Sequence, residues 1–440
     1  NFKVNFMNRI SLILDNPVRD LSYVSLIAME LAENGFEVNI VPSNMRHYEL
    51  ILSCPDYVLY PHQREGSSAE EILLLHDQGI EIGIMETEQH IKENYFIDYQ
   101  MPKNLKSLRI PKHVFSWGYY FQSLMKNNNL YSDQQIKVVG NPRYDEYIFN
   151  PETFEKSIKL LIATSFGIAN PNYLNKKQNK KAFLNANMSQ EDYSRYFKIH
   201  KGTIENLLNL IKEDFFEMDN GLKLRPHPYE NEKFYIKELS NSVVVSNEEP
   251  IVNQLKQSNS FLHYHSVSSV DSAVLQIPSI NMSWLPTDYK MHDSTPFMLK
   301  TSYQPGSQEE MKELILLIKK SKLQPRLEID DPIFEEYLFK TDGIAYKRVA
   351  EHIISDINLS LKRNFSAKGP FNNIGATEHF LKFIYHKNKW KKTKKYFSSK
   401  DIKDYIYKCQ KILQKDFKFN ISNNEFKNIE LTSVKIVADK

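Results

Sequence analysis

Residues 224–231 read "LRPHPYEN". One proline separates Arg225 from His227, a second follows the histidine, and an acid stands at Glu230. Each proline fixes φ and removes a backbone donor, so the two side chains project from a stiff turn. A guanidinium can grip a phosphate or carboxylate through two parallel hydrogen bonds. An imidazole can donate to a phosphate oxygen, or protonate a leaving group, near neutral pH. The plainer alternative is a surface turn with an incidental histidine.

Three further segments carry residue types suited to the same chemistry. "HYHSVSSVDSAVLQIPSI" (263–280) reads as strand, polar turn, helix, turn and strand. Ser266, Ser268 and Ser269 fall where that helix begins, and hydroxyls with free backbone N–H groups there can hold an anion. Asp271, in the first turn, can accept from ribose hydroxyls; it can equally favour the helix dipole while a serine caps the end. His263 and His265 share one strand face and read as packed side chains. "IMETEQHIKENY" (84–95) places Glu86 and Glu88 after a strand. A carboxylate there can act as a base towards a hydroxyl. In "MSQEDYSRY" (188–196), Asp192 is a candidate nucleophile or base. With Ser189 it also resembles a capping box carrying a shorter acid.

The elements that must position these residues alternate between strand and helix. "RISLILD" (9–15), "FEVNIVP" (36–42), "YVLYP" (57–61), "EIGIME" (81–86), "HVFSWG" (113–118) and the start of "IKVVGNPRYDEY" (136–147) read as strands. Helical spacing runs through "DLSYVSLIAMELAENG" (20–35), with Gly35 placed as a C-cap. A second series begins at "SIKLLIATSFG" (157–167) and continues with a long helix over 191–218. The strands "LKLRPHP" (222–228), "SVVVS" (242–246), "SFLHYHS" (260–266) and "PSINMS" (278–283) follow, with helices near 250–258, 268–276 and 308–321. This alternation predicts an α/β fold of two Rossmann-like, doubly wound domains with parallel sheets. The expected division is 1–150 and 151–340, then a helix in 341–364 returning towards the first domain, then a basic helical appendage over 365–440. In such domains ligands sit at the carboxyl ends of the strands, in a cleft that the two would face.

Composition narrows the class. The chain has 440 residues, 41% hydrophobic and 25% charged, as an ordinary globular protein does. Cys54 and Cys409 alone make no disulfide framework and point to a reducing, cytoplasmic setting. No apolar run approaches the roughly 20 residues of a membrane span, and the first residues alternate like a strand rather than a signal peptide. There is no G-x-G-x-x-G, P-loop, C-x-x-C or H-E-x-x-H motif and no D-x-D pair, so neither metal nor cofactor is expected. Residues 361–440 hold 19 Lys+Arg against 7 Asp+Glu, a balance of +12, leaving −9 for the rest of a chain whose total is +3. The asymmetry points to an anionic membrane surface, not nucleic acid, as the tail's partner, or else to a solvated helical face. In "HKNKWKKTKKYF" (386–397), Trp390, Tyr396 and Phe397 would sit at the headgroup boundary beside the lysines.

Taken in order, "VVGNPRYDEY", "IATSFGIANP", "LRPHPYEN", "HYHSVSSVDSAVLQIPSI" and "TDGIAYKRVAEHI" (341–353) resemble bacterial surface-carbohydrate biosynthesis proteins. These are GT-B glycosyltransferases and include the retaining β-Kdo transferases of O-antigen, lipopolysaccharide and capsule assembly. The likeness runs over roughly residues 9–355. It implies that Arg225, His227, Ser266, Ser268 and Ser269 hold the nucleotide phosphate and the donor's carboxylate. The family's turn reads C-T-T-G-x-E-A where this chain has "SVSSVDS", with Asp271 in place of Glu; "METEQ" has Gln89 where Gly is common. The resemblance further implies transfer of a CMP-activated ulosonic acid such as Kdo to a lipid-linked or oligosaccharide acceptor, peripheral to the inner membrane. Asp192 would be the nucleophile, Glu88 would activate the acceptor, and His227 would serve the departing CMP. A CDP-alditol phosphotransferase and a UDP-sugar epimerase are the alternative readings.

Overall fold

The computed structural model describes residues 8–439 except 54, 65–67, 91–92, 94–95, 98–100, 103–104, 150–153, 186–187, 240–242, 288–294, 358–372, 392–395 and 427–428. The expected domain boundary at 150 and the expected boundary near 365 both lie outside the described residues. The chain divides into two compact units, one of Asn1–Gln89, Gln100–Pro151 and Glu335–Lys440, the other of His90–Tyr99 and Glu152–Phe334.

The first unit is built on strands β1 (Arg9–Leu14), β2 (Glu37–Pro42), β3 (Tyr57–Tyr60), β4 (Glu81–Ile84), β5 (His113–Ser116) and β6 (Ile136–Val138). The second unit contributes β7 (Leu160–Ala163), β8 (Leu222–Arg225), β9 (Val244–Val245), β10 (Phe261–His263), β11 (Ser279–Asn281) and β12 (Ser302–Tyr303). Two last strands, β13 (Phe419–Phe426) and β14 (Ile429–Ala438), rejoin the first sheet. The eight-stranded sheet runs β13-β14-β2-β1-β3-β4-β5-β6 and the six-stranded one β12-β11-β10-β7-β8-β9. β1 to β6 pair in parallel, and so do β7 to β12, which is the doubly wound α/β class expected from the alternation.

Strand order fixes where each unit can bind. In the second sheet β7 lies at the reversal, with β8 and β9 on one side and β10, β11 and β12 on the other. In the first, the reversal lies between β1 and β3. Loops leaving the carboxyl ends of the strands on either side of a reversal diverge and leave a crevice.

Local chemistry explains the framework of the first unit. Helix α1 (Pro17–Glu33) starts with Pro17 at its first position, and Asn16 Oδ1 accepts from Val18 N at 3.2 Å. Gly35, at φ +90°, turns the chain into β2. The helix buries Val24, Ile27, Ala28 and Leu31 against Ile10, Leu12, Val38 and Ile40. Helix α2 (Arg46–Ser53) follows β2, and helix α3 (Gln190–Lys212) and the short α4 (Ser268–Val274) belong to the second unit. The chain returns to the first unit in α5 (Ala345–Asp356), which packs on α1. Asp145 holds its start by accepting from Ala345 N at 3.1 Å and Tyr346 N at 2.7 Å. Burial pushes the Asp145 carboxyl up to about 7.

Helices α6 (Asn373–Trp390) and α7 (Ser399–Leu413) follow, as the basic segment predicted. Two features depart from a separate helical appendage. The segment ends in the β13–β14 hairpin, whose β14 pairs antiparallel with β2. Its apolar residues also join the first unit's core: Phe383, Trp390, Phe397, Ile402, Ile406 and Val434 are each at most 3% exposed. Trp390 and Phe397, expected at a headgroup boundary, are thereby corrected to core positions. An uncovered β2 would be an open sheet edge, and the hairpin pairs it. Glu49 of α2 fastens the hairpin, accepting from Thr432 N and Ser433 N at 2.6 Å each and from the Thr432 hydroxyl.

Candidate active site

At the carboxyl edge of the second sheet, Arg225 is the last residue of β8 and is 7% exposed. Its Nη1 donates to the Glu249 carbonyl at 2.7 Å, and burial pushes the guanidinium down to about 10. His227, two residues on, is exposed. Its ring stacks on Tyr229 at 5.4 Å between centroids, and its Nδ1 accepts from Tyr229 N at 3.2 Å. That acceptor role puts the ring proton of a neutral His227 on Nε2.

The loop is locked by Glu230, a buried carboxylate that sequence reasoning left without a role. Glu230 accepts from Thr164 Oγ1 at 2.9 Å, Phe166 N at 2.7 Å and Tyr235 Oη at 2.5 Å. Burial pushes its carboxyl up to about 7. The loop after β7 is thus tied to the loop after β8. Two backbone bonds complete the join, Asn172 N to the Tyr229 carbonyl at 2.9 Å and Asn231 N to the Asn170 carbonyl at 3.0 Å. The prolines alone do not hold His227: a buried acid five residues from Arg225 does so across two strands.

Across β7, the loop after β10 carries the serines. His263 closes β10 and is 1% exposed; its Nδ1 accepts from Ser266 N at 3.2 Å and its Nε2 donates to Ser302 Oγ at 3.0 Å. Burial pushes it down to about 3, so it stays neutral and acts as a brace. His265 turns the chain at φ +46°, a left-handed conformation that costs a non-glycine residue energy and clusters at functional sites. Asn281, ending β11, accepts from His265 N at 3.0 Å and so fixes the turn. Ser266 Oγ accepts from Ser268 N at 3.2 Å. Ser269 Oγ is buried with no hydrogen-bond partner among the described residues. Asp271 is 1% exposed, so it lies within the helix packing rather than open to a ribose. The structure therefore gathers Arg225, His227, Ser266, Ser268 and Ser269 on the ends of strands that are neighbours or next neighbours in one sheet, bracketing the reversal.

Asp192 lies in the first turn of α3. Its carboxylate accepts from Ser189 Oγ at 2.8 Å and from Arg195 Nη2 at 2.7 Å, and its N–H donates to Ser189 Oγ at 3.0 Å. This is the capping arrangement that its spacing from Ser189 allowed.

The first unit presents a denser charged cluster at its own reversal. Asp15 follows β1, His62 and Arg64 follow β3, and Glu86 and Glu88 follow β4. Arg64 Nη2 donates to Glu86 at 3.2 Å and lies 3.6 Å from Glu88. Arg19 also reaches Glu88 at 3.3 Å and pairs with Asp20 at 2.6 Å. Glu86 is 5% exposed and burial pushes its carboxyl up to about 7, whereas the Glu88 side chain is 47% exposed. Burial, then the Arg64 charge, hold His62 down at about 4. Glu86 also lines a small cavity with Asp20, Trp117, Asn141 and Arg143. Asn141 is 5% exposed, and its Nδ2 has no partner among the described residues. Gln89 braces the loop, donating to the Phe115 carbonyl at 2.8 Å and accepting from Trp117 N at 2.7 Å. Arg19, His62 and Arg64 were missed in the sequence. A signal was present: Pro61-His62 follows one strand just as Pro226-His227 follows another.

Among the described residues no group of three or more His, Cys, Asp or Glu side chains is placed to hold a metal ion. No described helix is long and apolar enough to cross a membrane.

Two doubly wound units with sites at the carboxyl edges define the GT-B fold, and comparison with solved structures agrees. S. aureus MnaA, solved with UDP, is 14% identical with a TM-score of 0.51, over 80% of this chain and 98% of that one. A variant of the wall teichoic acid polymerase TagF is 13% identical with a TM-score of 0.50, over 80% and 89%. A putative UDP-N-acetylglucosamine 2-epimerase from Listeria monocytogenes is 12% identical with a TM-score of 0.51, over 79% and 96%. No protein-family model matches the chain, and no curated protein matches it.

Proposed function

We propose that the protein is a glycosyltransferase of bacterial surface-polysaccharide assembly that uses a cytidine-activated donor, a CMP-linked ulosonic acid such as Kdo, without a metal or cofactor. One observation carries the reading: Arg225 and His227 leave β8 on a loop locked by Glu230, in the sheet whose reversal is bracketed by the serine turn. A donor with a phosphate and a carboxylate close together needs cationic and neutral donors fixed in advance. Such preorganised donors stabilise the charge that develops on the departing phosphate. Arg225 supplies the cation, His227 Nε2–H a neutral donor, and the turn the hydroxyls of Ser266, Ser268 and Ser269. In the first unit, Glu86 rather than Glu88 takes the acceptor's proton, because it is the buried acid that titrates near neutrality and lines a cavity. The acceptor is a lipid-linked or free oligosaccharide.

Asp192 is the carboxylate offered for a retaining mechanism. Both its oxygens are engaged by Ser189 and Arg195, so the expected outcome of intact-mass analysis with donor is no adduct on Asp192. An adduct lost in Asp192→Asn would assign it the nucleophile's role.

Calorimetry with CMP, CDP and UDP in the presence of EDTA tests the donor class. Preferential binding of CMP is expected; binding of UDP alone would overturn the reading. The TagF and epimerase likenesses keep two other chemistries in view. A phosphodiester product from a CDP-alditol, or conversion of a UDP-sugar with no acceptor, would identify either directly.

A further inference from the structure

The second unit carries a groove that shares no residue with the arginine, histidine and serine site. It holds about 310 Å³, at the lower end of the roughly 300–1,000 Å³ of small-molecule sites. One stripe of α3 lines it: Asn206, Asn209, Leu210 and Glu213, whose spacing puts them on a single helix face. Trp284, in the loop after β11, lines it as well, with Ser307 and Gln308 at the start of helix Gln308–Lys319. The Trp284 loop is firmly held. The Pro286 carbonyl accepts from Tyr264 Oη at 2.8 Å and from Thr203 Oγ1 at 3.1 Å, and Ser283 Oγ donates to the Pro305 carbonyl at 2.7 Å. Trp284 packs at the margin of the unit's core, and its Nε1 is buried without a partner among the described residues. The groove therefore meets the indole ring rather than its polar edge. Around that ring the side chains are polar and exposed. Asn206, Asn209 and Gln308 present amides that make no hydrogen bond among the described residues. Asparagine is a poor residue for a helix interior, yet two stand on this one stripe. Glu213 follows them at the carboxyl end of α3, where the helix dipole disfavours an anion.

We propose that this groove binds a neutral saccharide, with the Trp284 ring against the C–H face of a pyranose and the amides of Asn206, Asn209 and Gln308 on its hydroxyls. A sugar ring offers an apolar C–H face and, round its edge, hydroxyls that both donate and accept. A side-chain amide also donates and accepts, and an indole gives a large apolar contact at little cost in side-chain entropy. The charge of the groove selects against other ligands. No lysine or arginine lines it, and Glu213 adds a carboxylate, so a phosphate or a nucleotide would meet repulsion with no cation to hold it. The proposal stands apart from the donor reading and survives if another nucleotide proves to be the donor's carrier.

Saturation-transfer NMR on the full chain with maltotetraose, cellotetraose and chitotetraose tests it. Transfer to the C–H protons of at least one is expected, and excess CMP should leave it unchanged. Trp284→Leu keeps an apolar side chain against the core and should lower the affinity about tenfold or more, with the circular dichroism spectrum unchanged. Asn206→Ala with Asn209→Ala should also weaken binding while leaving α3 at least as stable, because alanine is the better helix former. Absence of transfer to all three sugars overturns the proposal. So does binding that either variant retains at full strength. A saccharide displaced by CMP would belong to the nucleotide's site and overturns it too.

Discussion

Glu86 and Glu88 share one guanidinium, that of Arg64, at 3.2 and 3.6 Å. They nevertheless differ in kind. Glu88 is half-exposed and held from its other side by Arg19, so its two oxygens serve ion pairs in water. Glu86 is buried and pushed up to about 7, and it faces a cavity. Burial, against the pull of the shared arginine, makes Glu86 an acid able to exchange a proton near neutral pH.

Glu86→Gln should lower kcat by about 10²–10⁴-fold, the usual worth of a positioned base, and Glu88→Gln by much less. The sign of the pH dependence follows from the raised value. Glu86 carries its proton below about 7, so activity through it rises as pH passes that value and the base is freed. Steady-state kinetics from pH 5.5 to 8.5, ranges chosen on about 1.5 units either side of that value, should show this limb and its loss in Glu86→Gln.

His227→Ala should leave the circular dichroism spectrum intact and reduce turnover by about 10²–10³-fold, as loss of one preorganised donor does. Arg225→Ala removes a buried side chain bonded to the Glu249 carbonyl, so both rate and stability should fall. A well-folded His227→Ala enzyme of normal activity would exclude the histidine from the reaction.

Glu230 makes stability depend on pH. Its carboxyl is raised from 4.5 to about 7 in the folded state, so its contribution is present below 4.5 and is lost as pH rises through 7. Glu230→Gln should flatten that part of the melting-temperature profile. It should also cost about 1–3 kcal/mol, because glutamine cannot accept from all three donors at once. Scanning calorimetry between those two pH values measures both effects.

Glu49→Ala leaves the amides of Thr432 and Ser433 and the Thr432 hydroxyl without their acceptor. A loss of about 2–5 kcal/mol is expected, read as a lower urea midpoint. An unchanged midpoint would mean that the hairpin adds nothing to the first unit.

Much of this architecture is legible in the chain itself. Buried parallel strands such as "LLIA" and "YVLY" are continuous apolar runs, and they mark themselves without any knowledge of their neighbours. The RPHP turn and the serine turn also stand out, since proline and clustered hydroxyls act locally. The β13–β14 hairpin was hidden for a different reason. "FNISNNEF" has little strand propensity, and its partner β14 is recruited by β2, nearly the whole chain away. Arg19, His62 and Arg64 were obscure because only strand order brings the ends of β1, β3 and β4 together. The role of Glu230 depends on Thr164 and Phe166, and no spacing within "LRPHPYEN" could announce them.

The pairing of β14 with β2 also sets a schedule. Ile40 faces Val434 in the finished sheet, yet 394 residues of synthesis separate them. At about 5–20 residues per second that interval lasts roughly 20–80 s. During it the second unit, whose strands all lie between, emerges whole and can fold. The first unit meanwhile waits with one flank of β2 and part of the surface of α1 unclothed. In a cell, the half of the molecule made first is therefore the half completed last, and it is there that chaperones and proteases would find the nascent chain.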